Sequence, residues 1–327
     1  MIEGIFVEGL LYGIMVLGVF ITFRILDFPD LTVDGSFPLG AAILASLVTA
    51  GVDPWISVGI AFLGGVLAGL CTAAIHNYLK VPNLLAGILT MTMLWSINIR
   101  VLGNRANLPL IQQVTILKNL ESQFGGVIPQ EWLLLLFFFL IVMMVKLLLD
   151  VFFRTDLGMT LGALGNNPQM VISTGVNPSY LKLIGVGLSN GLVALSGAFA
   201  AQFQGFADVN LGQGIIIAGL ASVMIGEFLW KSNRIFALTL RVILGSILFR
   251  AIMYLGRYYG YYVGLTPNDL KLLTGLLIIL SLVATKMRKD KPSKQLLAST
   301  QPTPGVASPP QVSKPGEVLS TKEGDDA

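Results

Sequence analysis

The sequence predicts an all-α, polytopic helical membrane protein with eight or nine membrane segments. Two observations carry that prediction. Of 327 residues, 54% are hydrophobic and only 12% are charged, against about 25% charged in a soluble domain, and the mean hydropathy is +0.77. Several stretches also reach the roughly 20 apolar residues that a helix needs to cross a bilayer. Backbone groups in lipid must pair internally, and the ten-residue alternation of an outer-membrane barrel is missing, so the spans read as helices.

Taken in order, the first span covers residues 4–26. Its start, Met-Ile-Glu-Gly, lacks a basic n-region and a cleavage motif, so it reads as a retained span. Gly9 and Gly13 are spaced to let another helix approach, or are glycines merely tolerated in a membrane helix. Residues 27–38 hold Asp27, Asp30, Asp34, Gly35, Pro29 and Pro38, a mixture expected to break a continuous helix. A short or broken span then runs to about Ala50. After an Asp53-Pro54 turn, a third span covers 55–78, with Gly65 and Gly69 as a second close-packing pair. The fourth, 84–102, carries Thr90, Thr92, Ser96 and Asn98, and 104–130 reads as a polar loop. In the fifth, 132–153, Lys146 and Asp150 share a helix face at i, i+4.

Residues 154–178 form the main polar interruption. Asn167-Pro168 reads as an N-cap followed by proline at the first helical position. Gly175 stops the helix, and Asn177-Pro178 prevents its continuation. The expectation is one short helix over 168–174. Further spans follow at 181–203, 215–228 and 235–255, with Arg241 and Arg250 inside the last. A tyrosine-rich loop at 258–262 and a final span at 270–285 complete the membrane domain, 1–286. Residues 287–327, rich in Pro, Ser, Thr and Gln, are expected to be a disordered cytoplasmic tail. Its basic start (Lys286, Arg288, Lys289, Lys291, Lys294) marks the cytoplasmic side, which places the 154–178 interruption there as well. With nine crossings the N-terminus lies outside. An offset of 178 residues sets Gly13 on Gly191, Leu17 on Leu195, Phe28 on Phe206 and Asp30 on Asp208; that pattern hints at an inverted repeat.

Several chemistries find no support. The net charge of +3 sits mainly at span ends and in the tail, where membrane orientation accounts for it, so no nucleic-acid partner is implied. One cysteine, Cys71, and one histidine, His76, build neither a disulfide nor a metal cluster. No Walker A pattern occurs, so this chain has no P-loop for ATP, and neither H-E-x-x-H nor G-x-S-x-G is present. No catalytic residue is assigned. Polar residues in apolar segments (Thr90, Thr92, Ser96, Asn98, Ser189 and Asn190) are candidates for a solute pathway, and ordinary interhelical hydrogen bonding explains them equally well. Asp27, Asp30 and Asp34 are candidates for a gate or broken helix. The competing reading makes them the ion-coupling residues of a secondary transporter.

The order Arg154, Thr155, Gly158, Ala163, Gly165, Asn167, Gly175, Val176 resembles the coupling segment of ABC-transporter permeases of the branched-chain amino acid and ribose importer family. Gln169 stands where that family usually has an acid, and Met170-Val171 replaces its usual alanine pair. The stretch 27–42 is similar to the tryptophan/tyrosine-type subgroup, and the resemblance covers residues 1–286. It implies a transport subunit with no enzymatic activity and no cofactor of its own, ATP being hydrolysed on a separate ATPase. Gly165, Asn166, Asn167, Pro168, Gln169, Met170, Val171, Thr174 and Gly175 would meet that ATPase. It further implies a second permease copy, an extracytoplasmic substrate-binding protein, residence in the inner (plasma) membrane, and an aromatic or branched-chain amino acid as solute.

Overall fold

The computed structural model describes residues 2–124, 129–229 and 234–260, with isolated positions at 272, 274–276 and 279. The chain divides into two units, Met1–Thr285 and Lys286–Ala327. The tail expected at 287–327 lies outside the described residues, and the span expected at 270–285 lies almost wholly outside them.

Helix α1 (Ile2–Phe20) continues through a π-helical turn, Ile21–Ile25. After an extended break come α2 (Val33–Thr49), α3 (Pro54–Leu79) and α4 (Asn83–Val101). A short strand β1 (Asn107–Pro109) and helix α5 (Ile116–Phe124) precede α6 (Gln130–Arg154). Two short helices follow, α7 (Asp156–Asn166) and α8 (Pro168–Ser173), and then α9 (Pro178–Gln204). Strand β2 (Phe206–Asp208) pairs antiparallel with β1, and a 3-10 turn (Val209–Gly212) leads into α10 (Ile215–Leu229) and α11 (Ile235–Gly260). Among the described residues, seven helices are long and apolar enough to cross a membrane, and α2 is a shorter apolar one.

Three helices begin with one local signal. Asp53-Pro54, Asn167-Pro168 and Asn177-Pro178 each place an acceptor side chain on a backbone N–H of the first turn. Each also puts proline where no N–H is needed. Elsewhere packing overrides local signals. Pro38 lies inside α2 rather than ending it. Its missing N–H would have bonded the carbonyl of Asp34, and Gly212 packs against that carbonyl instead, so closely that a Cβ there would sit 1.9 Å from it. The region read as a loop at 104–130 contains β1 and α5, and Tyr258 and Tyr259 belong to the end of α11 rather than to a loop.

Contacts fix the helix directions. Ser189 Oγ donates to the Gly18 carbonyl and Ser196 Oγ to that of Leu11, so α9 runs antiparallel to α1. Gly65 packs on Asn190 and Gly69 on Val186, so α3 is antiparallel to α9. Ser246 Oγ reaches the Gly9 carbonyl and Arg250 faces Glu8, which sets α11 against α1. Followed through the chain, α1, α2, α3, α4, α6, α9, α10 and α11 run alternately between two ends. The near end holds the start of α1, the turn at 50–53, residues 102–124 and 205–214. The far end holds 26–32, 80–82, and α7 and α8. The spans of α1 and α9 are 72% and 78% buried, against 28% for α4, so α1 and α9 form the central pair and the rest wrap around them.

The pair carries the repeat. The contacts Gly18–Ser189 and Leu11–Ser196 exchange under the offset of 178. Asp30 Oδ1 accepts from Thr32 N (2.9 Å), and Asp208 Oδ1 accepts from Asn210 N (2.7 Å), so the same turn follows both central helices. The packing of α3 on α9 is matched by that of α11 on α1. Both units are helix, aspartate turn, shorter helix, long helix, in opposite directions.

Candidate functional site

Two regions stand out: the capped helices at the far end and the broken helices at the centre. At the far end, Thr155 caps α7 by accepting from Gly158 N. Gly158 lies on the carbonyl of Phe152, and Gly165 on that of Ile25, where a Cβ would stand 2.3 and 2.0 Å away. Helix α7 is therefore keyed onto the end of α6 and onto the π turn that closes α1. Asn166 and Asn167 are exposed, and Asn167 Oδ1 takes the N–H of Met170 at 3.2 Å to start α8. Thr174 Oγ1 donates to the Val171 carbonyl, and Gly175 turns the chain at φ +80° with its N–H on the Ile172 carbonyl.

The face of α8 differs from expectation at one position. Val171 is only 2% exposed, because it is the residue that α8 inserts into the protein. Its neighbours Met170 and Ile172 are 58% and 52% exposed, and Gln169 and Pro168 lie open beside them. Leu157, Met159, Val176 and Tyr180 extend the exposed apolar surface. Val171 thus anchors α8, Gly165 anchors α7, and Met170 and Ile172 are the residues that face outward. Ile172 was missed in the sequence because a six-residue helix is too short for its periodicity to show which side faces in.

At the centre, Asp27, Asp30 and Asp34 play three different parts. Asp27 is exposed and holds a left-handed turn at φ +50°. Asp30 is fully buried, where its carboxylate accepts from Thr32 N and, at 2.7 Å, from Asn190 Nδ2. Asn190 Oδ1 in turn accepts from Ser36 Oγ, while Thr32 and Thr72 share a hydroxyl bond at 2.8 Å. Gly87 packs over Leu31 and Asp30. Helices α2, α3, α4 and α9 therefore meet at this one turn. Asp34 spans the two repeat units: its oxygens accept from Gly214 N and Ile216 N at the start of α10 (3.0 and 2.9 Å).

The six polar residues separate accordingly. Ser189 and Asn190 are fully buried and spent on helix-to-helix bonds. Thr90 is buried with its hydroxyl on the Ala86 carbonyl. Thr92, Ser96 and Asn98 lie on α4, the first two exposed. Thr92 and Asn98 line a cavity of about 430 Å³ that Asp34, Pro38, Met91, Trp95 and Gln213 also border. Asn98 Nδ2 donates to the Gly35 carbonyl (3.1 Å), and Asn98 Oδ1 is buried with no partner.

Two charged clusters support the frame. Lys146 and Asp150 form a buried ion pair on α6, with Thr239 Oγ1 donating to Asp150 and the Lys146 ammonium 3.4 Å from the Phe236 ring centre. Glu227, at the far end of α10, takes Arg24 of α1 at 2.5 Å and Arg241 of α11 at 3.3 Å. Among the described residues no group of three metal-ligating side chains comes together.

The family model described as branched-chain amino acid transport system / permease component matches residues 1–282. A protein of Clostridioides difficile (strain R20291) called tyrosine transport system permease protein is 42% identical over 278 residues, covering 85% of this chain and 89% of that one. An uncharacterised protein of Rickettsia prowazekii (strain Madrid E) is 30% identical over 276 residues, covering 84% of this chain and 94% of its own length. No solved structure matches the chain.

Proposed function

Because the chain belongs to the family of permease components of branched-chain amino acid transport systems, we propose that it is the membrane subunit of an ATP-driven ABC importer whose solute is an aromatic amino acid. The observation that carries the coupling is the far-end surface: a short capped helix, fixed inward by Val171 and presenting Met170 and Ile172 outward. Scattered exposed apolar residues are ordinary, but a contiguous group rimmed by polar caps marks an interaction site. Without a P-loop of its own, the chain takes its drive from an ATPase docked there.

The far end is the cytoplasmic one in this reading. It carries Arg24, Lys80, Arg154, Lys182 and Arg234, and cytoplasmic ends are enriched in Lys and Arg. The protein then lies in the plasma membrane with the near end outside, where a binding protein delivers the solute, and with its basic C-terminal segment in the cytoplasm. A second copy of the chain completes the pathway. ATP binds and is hydrolysed on the partner. Motion of the ATPase displaces α8 and α7, and two rigid attachments carry it inward. One is Gly165 on Ile25, which moves the end of α1, and the other is the Asn177 cap that joins α8 to α9. Since α1 and α9 are the central pair, the change reaches the Asp30–Asn190 junction between the repeat units. Solute moves because the two resulting states bind it differently. The 42% identical relative named for tyrosine transport supports the aromatic class.

Co-purification of the ATPase with the full chain tests this reading. Met170→Asp and Ile172→Asp place a charge on the outward face and are expected to reduce recovery of the ATPase about tenfold or more, with melting shifted by less than about 2 °C. If both variants retain the ATPase and its stimulated hydrolysis, α8 is not the docking element. Val171→Asp is the wrong probe, since it puts a carboxylate into the anchor.

A further inference from the structure

Resting on the permease reading, we propose that the cavity between α2, α4 and the 209–214 turn is the intramembrane site for the solute, and that it recognises an aromatic ring together with an ammonium group while leaving the carboxylate unbound. The argument begins with the orphaned acceptor. The Gly35 carbonyl fixes the orientation of the Asn98 amide, because only its NH₂ can donate to that oxygen. Asn98 Oδ1 is therefore a true acceptor, and it is buried without a donor. A buried acceptor left empty is costly, and in a native structure it marks a place where a donor arrives.

The wall around it defines the donor. Among the described residues, Asp34 is the charged one lining the cavity, and no Lys, Arg or His lines it. The Asp34 carboxylate already accepts two backbone N–H groups and has further lone pairs to offer. The free lone pairs suit the N–H donors of an ammonium, whereas a carboxylate meets no cation: the Gln213 amide is neutral and already donates to Asn210 Oδ1. Most of the remaining surface is apolar (Pro38, Met91, Trp95 and Val209), with Gln213 at its edge. Trp95 supplies a face for ring stacking and for a cation, and Met91 supplies sulfur to an aromatic edge. At about 430 Å³ the cavity falls in the range of small-molecule sites. Its place near the outer end of α4, at the junction of the two repeat units, lets the near end load it and α10 reshape it. Thr92 lines the cavity with its hydroxyl turned to the Ile88 carbonyl of its own helix, so it contributes shape and no polar contact.

The test uses the purified full chain with Trp55, Trp132 and Trp230 replaced by Phe, leaving Trp95 as the emitting indole, and titrates three ligands. L-Tyrosine and tyramine, which both carry ring and ammonium, are expected to change Trp95 emission saturably and with similar affinity. 3-(4-Hydroxyphenyl)propionate, which lacks the ammonium, is expected to bind about tenfold more weakly or worse, as is L-leucine, which lacks the ring. Thr92→Phe fills the cavity and is expected to abolish the change while melting as the parent does. Absence of a saturable response to L-tyrosine up to about 1 mM overturns the proposal. So does equal binding of the propionate, or an unaltered response in Thr92→Phe. The readout needs no ATPase, so loss of coupling in the Met170 and Ile172 variants leaves it intact, and a failure here leaves the docking result standing.

Discussion

At the residue scale, glycine decides how closely the helices meet. A Cβ at Gly69 would lie 2.3 Å from the Val186 carbonyl, and one at Gly197 would lie 2.0 Å from that of Phe37. Gly59 has nothing within 4 Å. Gly69→Ala and Gly197→Ala are expected to destabilise by about 1–3 kcal/mol through overpacking, and Gly59→Ala to be neutral or slightly stabilising, since alanine is the better helix former. Thermal melting of the purified chain in detergent checks all three, and equal melting of Gly59→Ala and Gly197→Ala would contradict the packing. Gly65 and Gly69 were readable from their four-residue spacing. Gly197 was not, because spacing cannot say which face of α9 meets the Phe37 carbonyl. The same limit hid the inward turn of Val171: a buried valine between two exposed apolar neighbours has no local signature.

At the element scale, α6 and α7 show what a sequence reveals and what it conceals. The i, i+4 spacing of Lys146 and Asp150 predicted their pairing on α6, and the structure adds Thr239 and Phe236 from α11 as partners. Burial makes this pair asymmetric. Lys146→Met leaves Asp150 charged and unpaired and is expected to cost about 3–5 kcal/mol, whereas Lys146→Met with Asp150→Leu should recover most of it. Melting curves of the single and double variants measure the difference, and a double variant no better than the single one would refute the pairing as the cause. Helix α7 was missed altogether. Its three glycines, Gly158, Gly162 and Gly165, each cost about 1 kcal/mol of helix propensity, so the segment reads as turn. Two of them are what let α7 lie against backbone carbonyls of α6 and α1. The caps of α8, by contrast, were fully legible, because Asn-Pro and Gly act through their own backbone.

At the scale of the molecule, the inverted repeat organises everything else. Its trace in the sequence was faint, four identities at one offset, because opposite orientations impose the same helix geometry on different neighbours. What persists is the physics of the break: an aspartate whose Oδ1 caps the second residue on, after each central helix. The repeat also fixes sidedness, with α8 and the 104–124 segment at opposite ends. With Cys71 replaced by Ser, a cysteine at Gln169 is expected to react with a membrane-impermeant maleimide only in inside-out vesicles, and one at Gln112 only in right-side-out vesicles. The reverse pattern would invert the assignment of the cytoplasmic face.

Energy coupling is the account's central claim, and it sets the chain apart from a secondary transporter driven through Asp27, Asp30 and Asp34. In this structure Asp30 is fully buried in a helix junction, and the proposal puts the drive on a partner at α8. The direct measurement is uptake of radiolabelled L-tyrosine by cells expressing the full chain with its ATPase and binding protein. Uptake is expected to persist with a protonophore while ATP is maintained, and to collapse when ATP is depleted. Uptake that survives ATP depletion and collapses with the protonophore would contradict the account.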